Sequence, residues 1–150
     1  MKSTRDLDDT DWQLVAALEA DARQSYSELG RKVGLSQPAT AERIKSLEAA
    51  GIIRGYRVDV DRSKIGYPIT AFIRMDTDGE KCRRLQRDVS RLPEILECHR
   101  VTGEGSYILK AALKSVGDLE NLIDRLLVYG ASTTSIVLST TLGPRGVSPG

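Results

Sequence analysis

Aromatic side chains are scarce in this 150-residue chain: one Trp, one Phe and five Tyr make up 5% of it. Aliphatic residues must therefore fill whatever core it builds. Cysteine and histidine are scarcer still. Two cysteines, Cys82 and Cys98, and the lone His99 cannot complete a zinc site, and such thiols ordinarily serve as small buried hydrophobes. No nucleophile, base or carboxylate pair at motif spacing accompanies His99, and no glycine-rich phosphate loop occurs. Neither catalysis, a metal nor a cofactor is expected. No window approaches the ~20 apolar residues of a membrane span, and the opening MKSTRDLDD has no apolar signal segment, so the expected compartment is the cytoplasm.

A large charge of one sign is also missing, because 22 Lys and Arg against 21 Asp and Glu leave a formal net charge of +1. The charges are unevenly placed, however. Acids collect before residue 22, whereas from Arg23 to Arg57 seven basic residues face three acidic ones, an excess of four positive charges. That excess suits a few phosphate contacts but is weak for a monomer, so useful affinity needs at least a dimer.

The same segment holds the most legible pattern in the chain, SYSELGRKVGLSQPATAERIKSLEAAG from Ser25 to Gly51. Ser25 followed by Glu28 fits a capping box, and the spacing predicts a helix from about Tyr26 to Val33 that Gly34 stops. Leu35 then points back into a small core and Ser36 caps a second helix, with Pro38 in its first turn, where a missing N–H does no harm. Along that helix Ala41, Ile44, Leu47 and Glu48 share one side, leaving Pro38, Ala39, Glu42, Arg43 and Ser46 facing away. This is a helix-turn-helix whose second helix would meet a major groove. A third helix precedes it, capped by Asp8 with Asp11 three residues on, and apolar on Leu14, Val15 and Leu18. After Gly51 the run IIRGYRVDV reads as an extended strand, either a wing or a connector.

The periodicity changes beyond the turn-rich joint DRSKIGYP, Asp61 to Pro68. Ile69, Ala71, Ile73 and Met75 alternate as a half-buried strand, and Glu80 to Leu92 follows at helical spacing. Two strand-like runs, Ile95 to Thr102 and Tyr107 to Leu113, flank the hairpin signal Gly103-Glu104-Gly105-Ser106. Val116 to Tyr129 is helical on Leu119, Leu122, Ile123, Leu126 and Leu127, and Thr133 to Leu142 is a last strand with Ile136, Leu138 and Leu142 on one side. The order β-α-β-β-α-β predicts a ferredoxin-like antiparallel sheet with both helices on one side. The uncovered face then asks for a partner, most simply a second copy of the chain.

The opening LDDTDWQLVAAL, the reader GLSQPATAERIKSLEAAGIIRGY, the joint IGYP and the run LPEILECHRVTGEGSYILK resemble the leucine-responsive regulatory protein and AsnC family of transcription regulators, also called feast/famine proteins. The resemblance spans residues 7 to about 142. It implies an α+β protein with an N-terminal winged helix-turn-helix and a ferredoxin-like βαββαβ sensor domain. The corresponding divisions are a DNA-binding domain over 1–53, a linker strand over 54–68, a ligand-sensing and oligomerisation domain over 69–142, and a flexible tail over 143–150. It further implies homodimers, commonly assembled as octamers, and a small amino acid bound between sensor domains of adjacent dimers. Ser36, Pro38, Glu42, Arg43, Lys45 and Leu47 match the family's reader, with Leu47 as core.

In the family's effector loop Gly103, Glu104 and Tyr107 match, but Ser106 stands where members often carry Asp. A carboxylate there suits an amino acid's ammonium group, and a serine offers the hydrogen bond without the charge. Either the effector differs, Glu104 substitutes, or nothing is sensed. Ser135 and Ile136 could line the cleft, or Ile136 could be core only.

On this reading Gln37 and Arg43 address base edges, and Pro38 or Ala39 offers apolar contact to thymine methyls. Glu42 either accepts from a cytosine amino group or braces Arg43 or Lys45. Arg31, Lys32, Arg54 and Arg57 hold phosphates, and Ser36, Lys45 and Ser46 complete the surface. The expected function is a transcription regulator that binds double-stranded DNA and responds to a small molecule, an amino acid. The alternative is an effector-independent architectural DNA-binding protein.

Overall fold

The computed structural model describes residues 6–103 and 105–147. Expectations attached to Glu104, to residues 1–5 and to 148–150 of the tail lie outside them. The described residues form two compact units, one ending at Asp59 and the other spanning Val60–Thr141, and residues 142–147 group with the first.

The first unit contains α1 (Asp9–Ala20), α2 (Tyr26–Val33) and α3 (Gln37–Ala49). Each starts where a short-range cap satisfies orphan N–H groups. Asp8 accepts from the Asp11 amide at 2.8 Å, and Ser25 and Glu28 form the reciprocal capping box. Gly34, at φ 71, ends α2 in the left-handed region, and the Leu35 amide bonds back to the Gly30 carbonyl at 2.9 Å. Leu35 itself is half-buried. Leu14, Leu29 and Ile44 are buried at the centre, with Ala17, Leu18, Val33 and Ile53 against them.

The helix pair α2/α3 is close because of Gly30, whose missing Cβ would lie 2.6 Å from the Leu35 carbonyl oxygen and 2.8 Å from Thr40 Oγ1. The expected strand from Ile53 to Val60 is not formed as a wing, since it pairs with no strand among the described residues. Gly55, at φ 146, departs from strand geometry, and the Tyr56 hydroxyl instead donates to Glu48 Oε1 at 2.8 Å. Glu48 therefore faces solvent and the connector rather than the core.

The second unit runs β1 (Ile69–Asp76), α4 (Gly79–Asp88), β2 (Ile95–Arg100), β3 (Tyr107–Leu113), α5 (Val116–Leu126) and β4 (Ala131–Ile136), with one-turn 3₁₀ segments at Arg62–Ile65, Val89–Arg91 and Leu127–Tyr129. The strands form one antiparallel sheet in the order β2-β3-β1-β4, the ferredoxin-like arrangement. Ala71, Ile73 and Met75 of β1 and Leu109, Ala111 and Leu113 of β3 share one face, buried with Leu85 of α4 and Leu119, Leu122 and Leu126 of α5. The other face exposes Phe72 at 43%, with Arg74, Ile108 and Lys110 around it.

The last strand differs from expectation. It begins at Ala131 and ends at Ile136, so Leu138 and Leu142 lie beyond it and are exposed, and Leu127 is exposed at the end of α5. Among the described residues no helix is long and apolar enough to cross a membrane.

Candidate nucleic-acid interface and effector loop

The outward stripe of α3 is set by what its other sides bury. Thr40, Ile44 and Leu47 face the core, and buried Thr40 is tolerated because its hydroxyl donates to the Ser36 carbonyl one turn back at 2.9 Å. Ala41 is only half-buried and Glu48 exposed, so Thr40 rather than either completes the core side with Ile44 and Leu47. Pro38, Glu42, Lys45 and Ala49 recur at i, i+4, i+7 and i+11 and are all exposed, with Gln37 exposed beside Pro38 at the helix start. Ala39 and Ser46 are half-buried at its edges, and the Ser36 hydroxyl accepts from the Ala39 amide at 3.4 Å.

Arg43 does not belong to that stripe. Its Nη1 lies 2.7 Å from Asp8 Oδ2 and 2.8 Å from Asp11 Oδ1, and the Asp11 side chain is only 2% exposed. One guanidinium nitrogen thus joins α3 to the first turn of α1. The two carboxylates hold the Arg43 proton more tightly than usual. In return Asp8 sits below the ordinary aspartate value, first through the Asp11 amide and then through Arg43. The structure thus pairs Arg43, through Nη1 and on a side chain 32% exposed, with carboxylates of α1, apart from the exposed stripe of α3. The missed signal lies in the acidic first turn of α1, where Asp8 and Asp11 form a site for a cation as well as a cap.

Glu42 is exposed, and among the described residues it makes no ion pair with Arg43 or Lys45. Arg31 and Lys32 lie in the last turn of α2, where cations also complement the helix dipole, and both are exposed. Arg54 and Arg57 are exposed on the connector.

Among the described residues, the expected effector positions do not converge within one chain. Ser106 is tied into the loop: its hydroxyl donates to the Thr77 carbonyl at 2.7 Å and its amide to the Met75 carbonyl at 2.8 Å. Tyr107 points the opposite way, into the helix-side core at 3% exposure, with its phenol 3.2 Å from Cys82 Sγ and accepting from Gln86 Nε2. The Cys82 contact and burial together push the phenol's pKa up. Gly103, at φ 92, is an exposed turn residue.

Ser135 opposes Phe72 on the open face, in a depression of about 390 Å³ shared with Arg74, Ile108 and Thr133. Ile136 opposes Ala71 on the other face, at the sheet's end and 44% exposed. Adjacent strand residues point to opposite faces, so the pair cannot line a single cleft in this chain. One local vacancy in the bonding stands beside the loop: the buried Thr77 hydroxyl has no hydrogen-bond partner among the described residues.

A capped helix-turn-helix presenting an exposed polar stripe, followed by a ferredoxin-like unit, defines a two-part DNA-binding regulator. The chain belongs to the Lrp/AsnC family of transcription regulators: residues 7–48 match the AsnC-type helix-turn-helix domain and residues 70–147 match the Lrp/AsnC ligand binding domain. An uncharacterised HTH-type transcriptional regulator of Bacillus subtilis, YezC, is 38% identical over 90% of this chain and 96% of its own. The structure of B. subtilis LrpC superposes with a TM-score of 0.88 at 31% identity, covering 93% of this chain and 100% of that one. A feast or famine regulatory protein of Mycobacterium tuberculosis, complexed with L-methionine, superposes with a TM-score of 0.90 at 31% identity, covering 96% and 100% of the two chains.

Proposed function

We propose that the exposed stripe of α3 reads the major groove, with Gln37, Glu42 and Lys45 at base edges and Pro38 or Ala39 against thymine methyls. Ser36 and Ser46 border this surface, and Arg31, Lys32, Arg54 and Arg57 take phosphates. The observation that carries this reading is the uncommitted stripe Pro38-Glu42-Lys45-Ala49 on a helix capped at Ser36. Arg43 contributes by holding α3 against α1.

The protein acts as a homodimer in the cytoplasm, closed through the open sheet face around Phe72 and Ile108, and dimers assemble further into octamers. Its effector is a small amino acid, taken at the Gly103 to Tyr107 loop and completed by a second subunit. The L-methionine complex of the mycobacterial relative and the unpartnered Thr77 hydroxyl support this. Glu104 supplies a carboxylate to that loop by sequence. A second reading, an effector-independent architectural DNA-binding protein, is favoured by one observation: Ser106 replaces a charged group and commits its donor to the Thr77 carbonyl.

Thermal melting of the full chain against the twenty amino acids separates the two, since a ligand specific for the folded state raises the midpoint. A rise with one amino acid that also alters the DNA complex supports the sensor. A flat panel with DNA binding intact supports the architectural reading.

A further inference from the structure

Helix α4 and the turn after it carry the excess positive charge of the second unit. Residues 79–91 hold Lys81, Arg83, Arg84, Arg87 and Arg91, all exposed, against Glu80 and Asp88. Elsewhere in Val60–Thr141 seven cations face nine acids, so the unit would be acidic without this segment.

Packing explains where the charges point but not why they are there. Leu85 is the one buried residue of α4, with Cys82 and Val89 half-buried on the same side, which turns Arg83, Arg84 and Arg87 outward. Arg83 and Arg87 stand about 6 Å apart along the helix axis. Their protein partners are few and loose. Arg83 reaches Glu80 at 3.0 Å, while Arg84 and Arg91 share Asp88 at 3.8 Å each. Asp88 also accepts from the Tyr129 hydroxyl at 3.2 Å, and Arg84 lies over the Tyr129 ring at 5.7 Å. Lys81 and Arg87 have no partner among the described residues. Exposed pairs of this kind add little stability.

We propose that this ridge is a second DNA-contacting surface, which takes backbone phosphates of the duplex flanking the site that α3 reads. The inference rests on the reading of α3 as the DNA reader. Four of the five cations are arginines, whose planar guanidinium matches phosphate oxygens in a two-bond fork. The reader segment has an excess of only four positive charges, so additional phosphate contacts from the second unit would raise affinity without adding base specificity. The rival occupant is a second copy of this chain, offering Glu120 and Asp124, exposed one turn apart on α5.

The test compares the full chain with R83Q/R87Q/R91Q on a DNA site selected from a random pool, presented either as a short duplex or inside a longer fragment. On the long fragment the variant should show a shallower salt dependence, by about 0.9 in the log–log slope for each phosphate no longer neutralised, and a several-fold weaker affinity. On the short duplex the two proteins should bind alike. Equal slopes and affinities on the long fragment overturn the proposal. So does a variant whose slope is unchanged but whose particle is smaller in sedimentation, which assigns the ridge to a second copy.

R83K/R87K/R91K keeps the charge and must retain most of the slope, which covers the case in which the glutamine variant folds poorly. Q37A/K45A tests the underlying reading separately. It should lose short-duplex binding, and if it does not, α3 is not the reader, whatever the ridge does.

Discussion

Removing Arg43 tests whether this arginine braces the reader helix or reads DNA. In Arg43→Ala, Asp11, which is 1% exposed, loses the Arg43 guanidinium and a 2.8 Å charge-assisted hydrogen bond. Breaking a fully buried pair costs about 3–5 kcal/mol and an exposed pair about 0–1. The Arg43 side chain is 32% exposed, which places this loss between those limits, at about 2–3 kcal/mol. For a unit of this size that corresponds to a fall of about 10 °C or more in its melting midpoint.

The assay is denaturant unfolding of the full chain followed by circular dichroism, alongside Asp11→Ala and the double variant. The double variant should be less damaged than the sum of the singles by at least about 1 kcal/mol, because both singles break the same Arg43–Asp11 pair. An Arg43→Ala protein with unchanged stability and weakened DNA binding would refute the argument and return Arg43 to the base-reading surface.

Other outcomes follow from the same structure. Gly30→Ala forces a methyl against the Leu35 carbonyl and Thr40 Oγ1, and should destabilise the first unit by about 1–3 kcal/mol in thermal unfolding, although alanine is the better helix former. Asp8 and Glu28 both have lowered pKa values, from backbone amides of Asp11 and Ser25 first. Their contribution is full above the ordinary carboxylate values and is lost as pH falls through the lowered ones. Melting midpoints should therefore hold steady from about pH 7 to about pH 5 and drop below that, less steeply in Asp8→Asn. The Tyr56 phenol is pushed up to about 12 by burial and then by its bond to Glu48. Ultraviolet titration should show a late-ionising tyrosine that Tyr56→Phe removes and Glu48→Gln brings forward.

The local punctuation of this chain was legible without coordinates. Asp8, Ser25 with Glu28, Gly34 and Ser36 act within three or four residues of themselves, so a linear pattern contains their whole physical context. The limits of β3 at Tyr107 and Leu113 followed from the hairpin signal before it, and the alternation of β1 from period-two patterning against one core face.

Tertiary structure alone decided where the side chains of the candidate sites are committed. Arg43 meets carboxylates 35 and 32 residues earlier, a choice that no helical period encodes. Tyr107 turns into the core because its register partner Met75 lies on the helix-covered face. Which face Ser135 and Ile136 each take was set by the register of β4 on β1, where they oppose Phe72 and Ala71. Sequence determined the helix starts, the turns and the first three strands of the sheet, through interactions closed over a few residues, but not the connector after Gly51 or the limits of β4. Which polar groups stay free to meet DNA or an effector depended on partners brought together only by folding, because a buried or half-buried charge takes the nearest counter-charge in space.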